Sequence, residues 1–240
     1  MIVTGPAPKS PASPSGAPVV KVTDAWKLHK LGDEIVRALV HANLEVHPGE
    51  FVCLMGPSGS GKSTLLNIIG GLDRPTKGTV EITGRDTSKI TESQFAALRH
   101  DTIGFIFQSY NLIPFLSAVE NVELPLMFEP YDRKALRQRA TDLLNLVGLS
   151  HRLDHQPAKM SGGEQQRTAI ARSLISNPTL ILADEPTANL DHRTGEVVVQ
   201  TLRDLCSELG VTVVASTHDP AVAEQASRVV RMKDGQIQAE

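Results

Sequence analysis

The run Gly56-Pro57-Ser58-Gly59-Ser60-Gly61-Lys62-Ser63-Thr64 constrains the fold of this chain more than any other stretch. It matches G-x-x-x-x-G-K-[ST], the pattern of a phosphate-binding loop. The apolar run 51–55 before it has strand length, and 64–69 after it suits a helix. Strand, glycine loop, helix is the local context that the pattern needs. The glycines let backbone N–H groups curl around a phosphate, and the helix offers its positive N-terminal end. Gly56, Ser58, Gly59, Ser60 and Gly61 are therefore expected to form the cradle. Lys62 is expected to reach the β- and γ-phosphates, Ser63 to ligate Mg²⁺, and Thr64 to touch the α-phosphate.

The second half of a nucleotide site lies at Leu180-Ile181-Leu182-Ala183-Asp184-Glu185, an apolar strand ending in two acids. A strand buried on both faces reads as a continuous apolar run. In α/β sheets, ligands bind beyond the carboxyl ends of such strands. Asp184 is placed to hold Mg²⁺ through water, and Glu185 to polarise an attacking water as general base. Two further strand-like runs end in polar residues. Gln108 follows 103–107, where it can contact Mg²⁺ and the attacking water. His218 follows 211–216, where an imidazole can bond the γ-phosphate and align Glu185 with the water.

A second glycine run, Ser161-Gly162-Gly163-Glu164-Gln165-Gln166-Arg167, stands before that acidic strand and opens a helix-compatible stretch, 165–174. A phosphate loop alone signals only a nucleotide. With these motifs in this order, the chain resembles the nucleotide-binding subunit of an ABC transporter over about residues 19 to 238. The matching motifs are the phosphate loop (the Walker A motif), the glutamine loop at Gln108, the signature Ser161 to Gln165, the acidic strand end Asp184-Glu185, the loop Ala188 to Asp191 and the switch His218.

The resemblance implies a P-loop NTPase core of the RecA-like kind, with an N-terminal antiparallel β subdomain and an inserted helical subdomain. It implies a homodimer formed on ATP binding, packed head to tail. Each ATP and its Mg²⁺ would lie between Lys62 of one subunit and the signature residues Ser161, Gly162, Gly163 and Glu164 of the other, with Asp191 reporting across the interface. Hydrolysis would separate the pair. Two positions depart from the family pattern. Met160 stands where leucine usually precedes the signature serine. By its spacing to Gly56, His29 takes the place of the aromatic residue that stacks on adenine, with Trp26 close by as the larger platform.

The stretch 109–126 after Gln108 is apolar and punctuated by Pro114 and Pro125. In the resembled family this region receives a short helix from a membrane partner. The text is similar to one branch, which serves lipoprotein release, macrolide export, antimicrobial-peptide resistance and cell division. Its partner permeases have few membrane spans and a large extracytoplasmic domain. The resemblance thus implies an ATPase that drives export or lipoprotein/peptide extraction. The alternative is a cell-division or regulatory complex that transmits force without transport.

Composition agrees. A net charge of −3 carries no nucleic-acid signature. No window approaches the roughly 20 apolar residues of a membrane span, and the N-terminus lacks a secretory pattern. The expected location is peripheral, on the cytoplasmic face of the cell (inner) membrane. Cys53 and Cys206 read as core residues. Residues 1–18, rich in Pro, Ser, Ala and Gly, are expected to be a disordered tail, and 19–240 one ABC ATPase domain. Short alternating strands are expected over 19–55 and a helical subdomain over about 109–177. Within it a helix is expected over 133–147, ended by Gly148, and Gly235 marks a final hairpin. A DNA-repair ATPase would need a long coiled coil before the signature, and a translation ATPase two such domains. A phosphate-loop kinase would have no use for Ser161 to Gln165.

Overall fold

The computed structural model describes residues 16–32 and 34–238. The expectation for the tail therefore lies outside the described residues, except for residues 16–18. The chain enters through β1 (Val20–Leu31) and β2 (Glu34–Val46). These are two long antiparallel strands rather than the short ones expected. Their register shifts three times between Val22 and Leu28, and Asp24 and His41 take positive φ (48° and 54°). Extra residues of this kind bend and twist a strand, so a long ribbon can wrap without breaking. With β4 (Lys77–Ile82) and β5 (Arg85–Asp86) they form a four-stranded antiparallel sheet ordered β2-β1-β4-β5.

The second sheet collects β3 (Phe51–Met55), β6 (Ile103–Ile106), β7 (Leu180–Asp184), β8 (Thr212–Thr217), β9 (Arg228–Lys233) and β10 (Gln236–Ile237). Its order is β10-β9-β3-β8-β7-β6, parallel throughout except for the β9–β10 hairpin. Successive side chains of a strand point to opposite faces, and both faces here are buried. Val52, Leu54, Leu180, Leu182 and Val214 join the core shared with the antiparallel sheet and α1 (Lys62–Ile69). Phe51, Ile181, Ala183, Val213 and Ala215 join a second core with the helices on the other side. That double burial is the reason these strands read as unbroken apolar runs.

Those helices are α3 (Ala118–Glu123), α4 (Arg133–Leu146), α5 (Gly162–Leu174) and α6 (His192–Leu209), with the short α7 (Pro220–Ala223) after β8. Helix α4 ends as expected, with Gly148 at φ 74°. Helix α5 starts three residues before the expected Gln165, because Ser161 and Glu164 close a capping box around its first turn. Helix α2 (Glu92–Thr102) was not foreseen. Only Phe95, Leu98 and Thr102 are buried on it, too few for a clear apolar stripe, and its one strong local signal is the Thr91–Gln94 capping box.

The segment after Gln108 is ordered by a polar residue. Asn121 on α3 is fully buried. Its Oδ1 accepts the Ile113 N–H at 2.7 Å, and its Nδ2 donates to the carbonyls of Ile113, Leu116 and Ser117 at 3.0–3.1 Å. Asn121→Ala leaves these backbone groups unpaired in the interior. The expected loss is roughly 1–3 kcal/mol of stability, read from urea unfolding. Asn121→Asp, which keeps the acceptor but not the donors, is expected to be no better.

Candidate nucleotide site

The phosphate loop leaves β3 and enters α1, and its glycines are demanded by close approach. A Cβ on Gly56 would lie 2.2 Å from the Met232 carbonyl oxygen. One on Gly61, at φ 100°, would lie 2.6 Å from the Ala38 carbonyl oxygen. The final hairpin braces the loop from beneath. Its turn at Asp234-Gly235 (φ 50° and 76°) has the positive dihedrals of a tight hairpin, and Gly235 N–H donates to the Ser60 carbonyl at 3.1 Å.

Helix α1 differs from the other described α-helices at its start. Thr91, Ser117, Asp132, Ser161, Asp191 and Asp219 each cap a helix with a side chain, whereas α1 begins at Gly61 with no side-chain cap. Its first N–H donors are thus left for an external acceptor, the arrangement that suits a phosphate.

The carboxyl ends of β3, β7 and β8 bring the expected chemistry together. Ser63 Oγ donates to Asp184 Oδ1 at 2.9 Å, joining residues 121 apart in the chain. Glu185 sits between two basic groups, with Oε1 3.8 Å from Lys62 Nζ and Oε2 3.2 Å from His218 Nδ1. Lys62 is buried and its ammonium donates to the carbonyls of Gly56 and Pro57 at 2.8 and 3.0 Å. Glu185 adopts φ 44°, a left-handed conformation that costs an L-residue roughly 1–2 kcal/mol. Strain of that kind gathers at functional sites, where surrounding bonds hold it.

The oxygen-only pair Ser63 and Asp184 fits Mg²⁺. This ion keeps most of its water and needs one or two protein oxygens beside the phosphates. Among the described residues there is no cluster of three or more His, Cys, Asp or Glu able to form a full protein cage. Gln108 is exposed at the end of β6, and its side chain makes no hydrogen bond among the described residues. Its carbonyl accepts from Asn189 Nδ2 at 2.9 Å.

The signature residues, at the N-terminus of α5, share no hydrogen bond or ion pair with this cluster among the described residues. Ser161 is exposed, and its Oγ accepts the Glu164 N–H at 3.3 Å. The Glu164 carboxylate turns back to the Ser161 N–H (2.8 Å) and accepts from Arg152 Nε at 2.7 Å. Partial burial pushes this carboxyl up, but the Ser161 N–H and the Arg152 guanidinium together hold it below the usual range. A Cβ on Gly163 would lie 2.1 Å from Thr194 Cγ2, so a larger residue there would force Thr194 to turn. Asp191 accepts the Thr194 N–H as the cap of α6. His29 is exposed on β1, opposite Val36. The Trp26 indole is tied to Asp24 through an Nε1–H bond of 2.9 Å.

Several connecting residues escaped the sequence reading. The buried Gln166 donates to the Pro186 carbonyl at 2.7 Å, tying α5 to the segment after β7. Arg172, also on α5, donates to the carbonyls of Tyr110 and Asn111, both at positive φ, and so clamps the turn after Gln108. Ser216 bonds both Asp184 and the Glu185 backbone. The available signal was a polar side chain inside a patterned apolar run, and for Ser216 it was only one hydroxyl. A wider cleft of about 980 Å³ opens beside Pro48, Glu50 and Arg228. Pro48 and Glu50 precede β3, at the opposite end of that strand from the phosphate loop.

Residues 39–188 match the family model of the ABC transporter. An uncharacterised ABC transporter ATP-binding protein of Thermotoga maritima is 50% identical over 92% of this chain and 94% of its own length. The macrolide export ATP-binding/permease protein MacB of Syntrophobacter fumaroxidans is 49% identical over 92% of this chain, which spans 31% of that longer protein. The solved ATP-binding cassette MJ0796, a protein of Methanocaldococcus jannaschii, is described as a dimer in a post-hydrolysis state bound to ADP and Pi. It superposes with a TM-score of 0.85 at 48% identity, covering 92% of this chain and 97% of the cassette. This chain belongs to the ABC transporter family, as an ATP-binding domain that hydrolyses ATP.

Proposed function

We propose that the chain is the ATP-binding subunit of a membrane transporter of the export or extraction type. It acts as a homodimer closed by ATP against a partner permease with few spans and a large extracytoplasmic domain. The observation that carries this reading is the division of the site. Side-chain contacts link Lys62 to Glu185, Glu185 to His218 and Ser63 to Asp184, while Ser161, exposed at the start of α5, bonds to none of them among the described residues. A second copy would supply the missing half, and the dimeric MJ0796 cassette supports that arrangement.

In this reading Gly56 to Gly61 and the free N–H groups of α1 bind the phosphates, with Lys62 on the β- and γ-oxygens. Ser63, Asp184 and Gln108 would hold Mg²⁺, which supplies charge neutralisation on the β- and γ-oxygens. Glu185 accepts the proton of the attacking water as the O–P bond to the leaving ADP breaks. His218 holds the second carboxylate oxygen of Glu185, which fixes the direction of the first. Ser161, Gly162 and Gly163 of the facing subunit, at the N-terminus of α5, meet the γ-phosphate. Glu164 serves this contact by keeping that turn capped. His29, exposed on β1, covers the adenine, with Trp26 beside it.

The permease face is placed on the helical side. A cleft of about 490 Å³ lies beside Leu72, Arg99, Phe105, Phe107, Pro125 and Arg172. Phe115 and Phe128 are 74% and 91% exposed. Exposed apolar surface of this kind marks an interaction site. No helix among the described residues is long and apolar enough to cross a membrane. In this reading the subunit is peripheral, held by the permease on the cytoplasmic face. The MacB relatives, named as combined ATP-binding/permease proteins, support the branch.

The test is a pull-down from detergent-solubilised membranes of the native cell, using Glu185→Gln with Mg²⁺-ATP and mass spectrometry. Recovery of a permease with few spans and a large external domain is the expected result. A partner set of wall-active or division proteins without transported substrate would move the assignment to a force-transmitting complex. Recovery of soluble partners or nucleic acid alone would overturn the permease reading.

A further inference from the structure

We propose that Ser216 is a positioning residue of the ATPase site. Its buried hydroxyl holds the Asp184 carboxylate and the Glu185 peptide in the arrangement that aims both acids at the nucleotide. The inference rests on the roles proposed above for Asp184 and Glu185. Ser216 ends the apolar run of β8 and is fully buried. A hydroxyl there must find partners, and it finds two on the neighbouring strand. Its Oγ donates to Asp184 Oδ1 at 2.6 Å and accepts the Glu185 N–H at 2.9 Å. One donor and one acceptor function of the hydroxyl are thus both used on consecutive residues.

The consequences differ for the two acids. Asp184 Oδ1 receives both Ser63 Oγ and Ser216 Oγ. Were Ser63 Oγ to hold a metal instead, the Ser216 bond would still hold Asp184 Oδ1 in place. For Glu185, the bond to its N–H pins the peptide just before a residue held at φ 44°. A left-handed glutamate relaxes unless its neighbours restrain it. Ser216 supplies one such restraint, beside the Ala188 N–H on the Glu185 carbonyl, from a strand 31 residues away in sequence. Alanine would leave the Glu185 N–H without its acceptor and would let the acid swing away from His218. The rest of the strand packs through Val213, Val214 and Ala215, which the change does not touch.

The experiment compares Ser216→Ala, Ser216→Thr and Ser216→Cys with the wild type. Steady-state ATPase is read together with ATP affinity by calorimetry, with and without Mg²⁺. Ser216→Ala is expected to lose about tenfold in kcat at saturating ATP and Mg²⁺. Its ATP affinity without metal should stay within about twofold of wild type, because the phosphate loop is intact. The gain in affinity on adding Mg²⁺ should shrink by about threefold. Ser216→Thr keeps the hydroxyl and is expected to restore most of the turnover. Ser216→Cys, near in size with a weak donor, should resemble alanine and also reports if threonine does not fit. Wild-type kcat and wild-type Mg²⁺ dependence in the folded alanine or cysteine protein would overturn the proposal. Failure of the underlying reading is distinguished by Glu185→Gln. If that variant turns over ATP normally, Glu185 is not the base, whatever Ser216 does.

Discussion

Glu185→Gln is expected to lower ATP turnover by about 10²- to 10⁴-fold, the range supplied by a positioned general base. The amide has nearly the shape of the carboxylate, so the packing between Lys62 and His218 survives, but it cannot take the proton of the water. ATP binding relies on the phosphate loop and on Lys62 and should remain. The uncleaved nucleotide should then trap the closed pair. Size-exclusion chromatography with Mg²⁺-ATP is expected to show a stable dimer in this variant and a largely monomeric wild type, and phosphate release gives the rate. Undiminished turnover would remove Glu185 as the base.

Ser161→Arg is expected to abolish ATP-dependent dimerisation while leaving ATP binding by the single subunit within about twofold. The side chain is exposed at the first turn of α5 and makes no bond to its own chain's Ser63, Asp184 or Glu185. Arginine there adds bulk and charge to the surface proposed to meet the partner's γ-phosphate. It also removes the cap of α5, which by itself costs about 1 kcal/mol. Ser161→Ala isolates that smaller loss and is expected to weaken the dimer without destroying it. The measurement is made in the Glu185→Gln background, where the wild-type interface is most stable. A Ser161→Arg protein that still dimerised with ATP would sink the shared-site model.

Both expectations rest on motifs legible in the chain because their chemistry is local. The phosphate cradle is built from consecutive N–H groups, so the spacing from Gly56 to Ser63 encodes it directly. The capping box at Ser161 and Glu164 also spans a single helical turn, yet the sequence reading missed it and began the helix only at Gln165. The strand before Glu185 announced itself because both its faces are covered. Legibility failed where signals were weak or non-local. Helix α2 buries too little to show a stripe. The length of β1 and β2 was hidden by bulges at Asp24 and His41, which interrupt the alternation without ending the pairing.

By itself the sequence determined the nucleotide class, the parallel core and the presence of two separate glycine-bearing turns that open helices. Each depends on neighbouring residues and on a pattern of burial repeated along the chain. Tertiary structure alone decided how the acids are aimed. The bond from Ser63 to Asp184, the hold of Ser216 on Asp184 and Glu185, and the ties from Gln166 and Arg172 on α5 to Pro186, Tyr110 and Asn111 join residues between 20 and 121 positions apart. No local preference encodes such pairings. They follow from strand order and register, which bring β7 between β6 and β8 and set Asp184 beside Ser216. The left-handed φ of Glu185 has the same origin, since an isolated glutamate avoids it and only the assembled sheet holds it there.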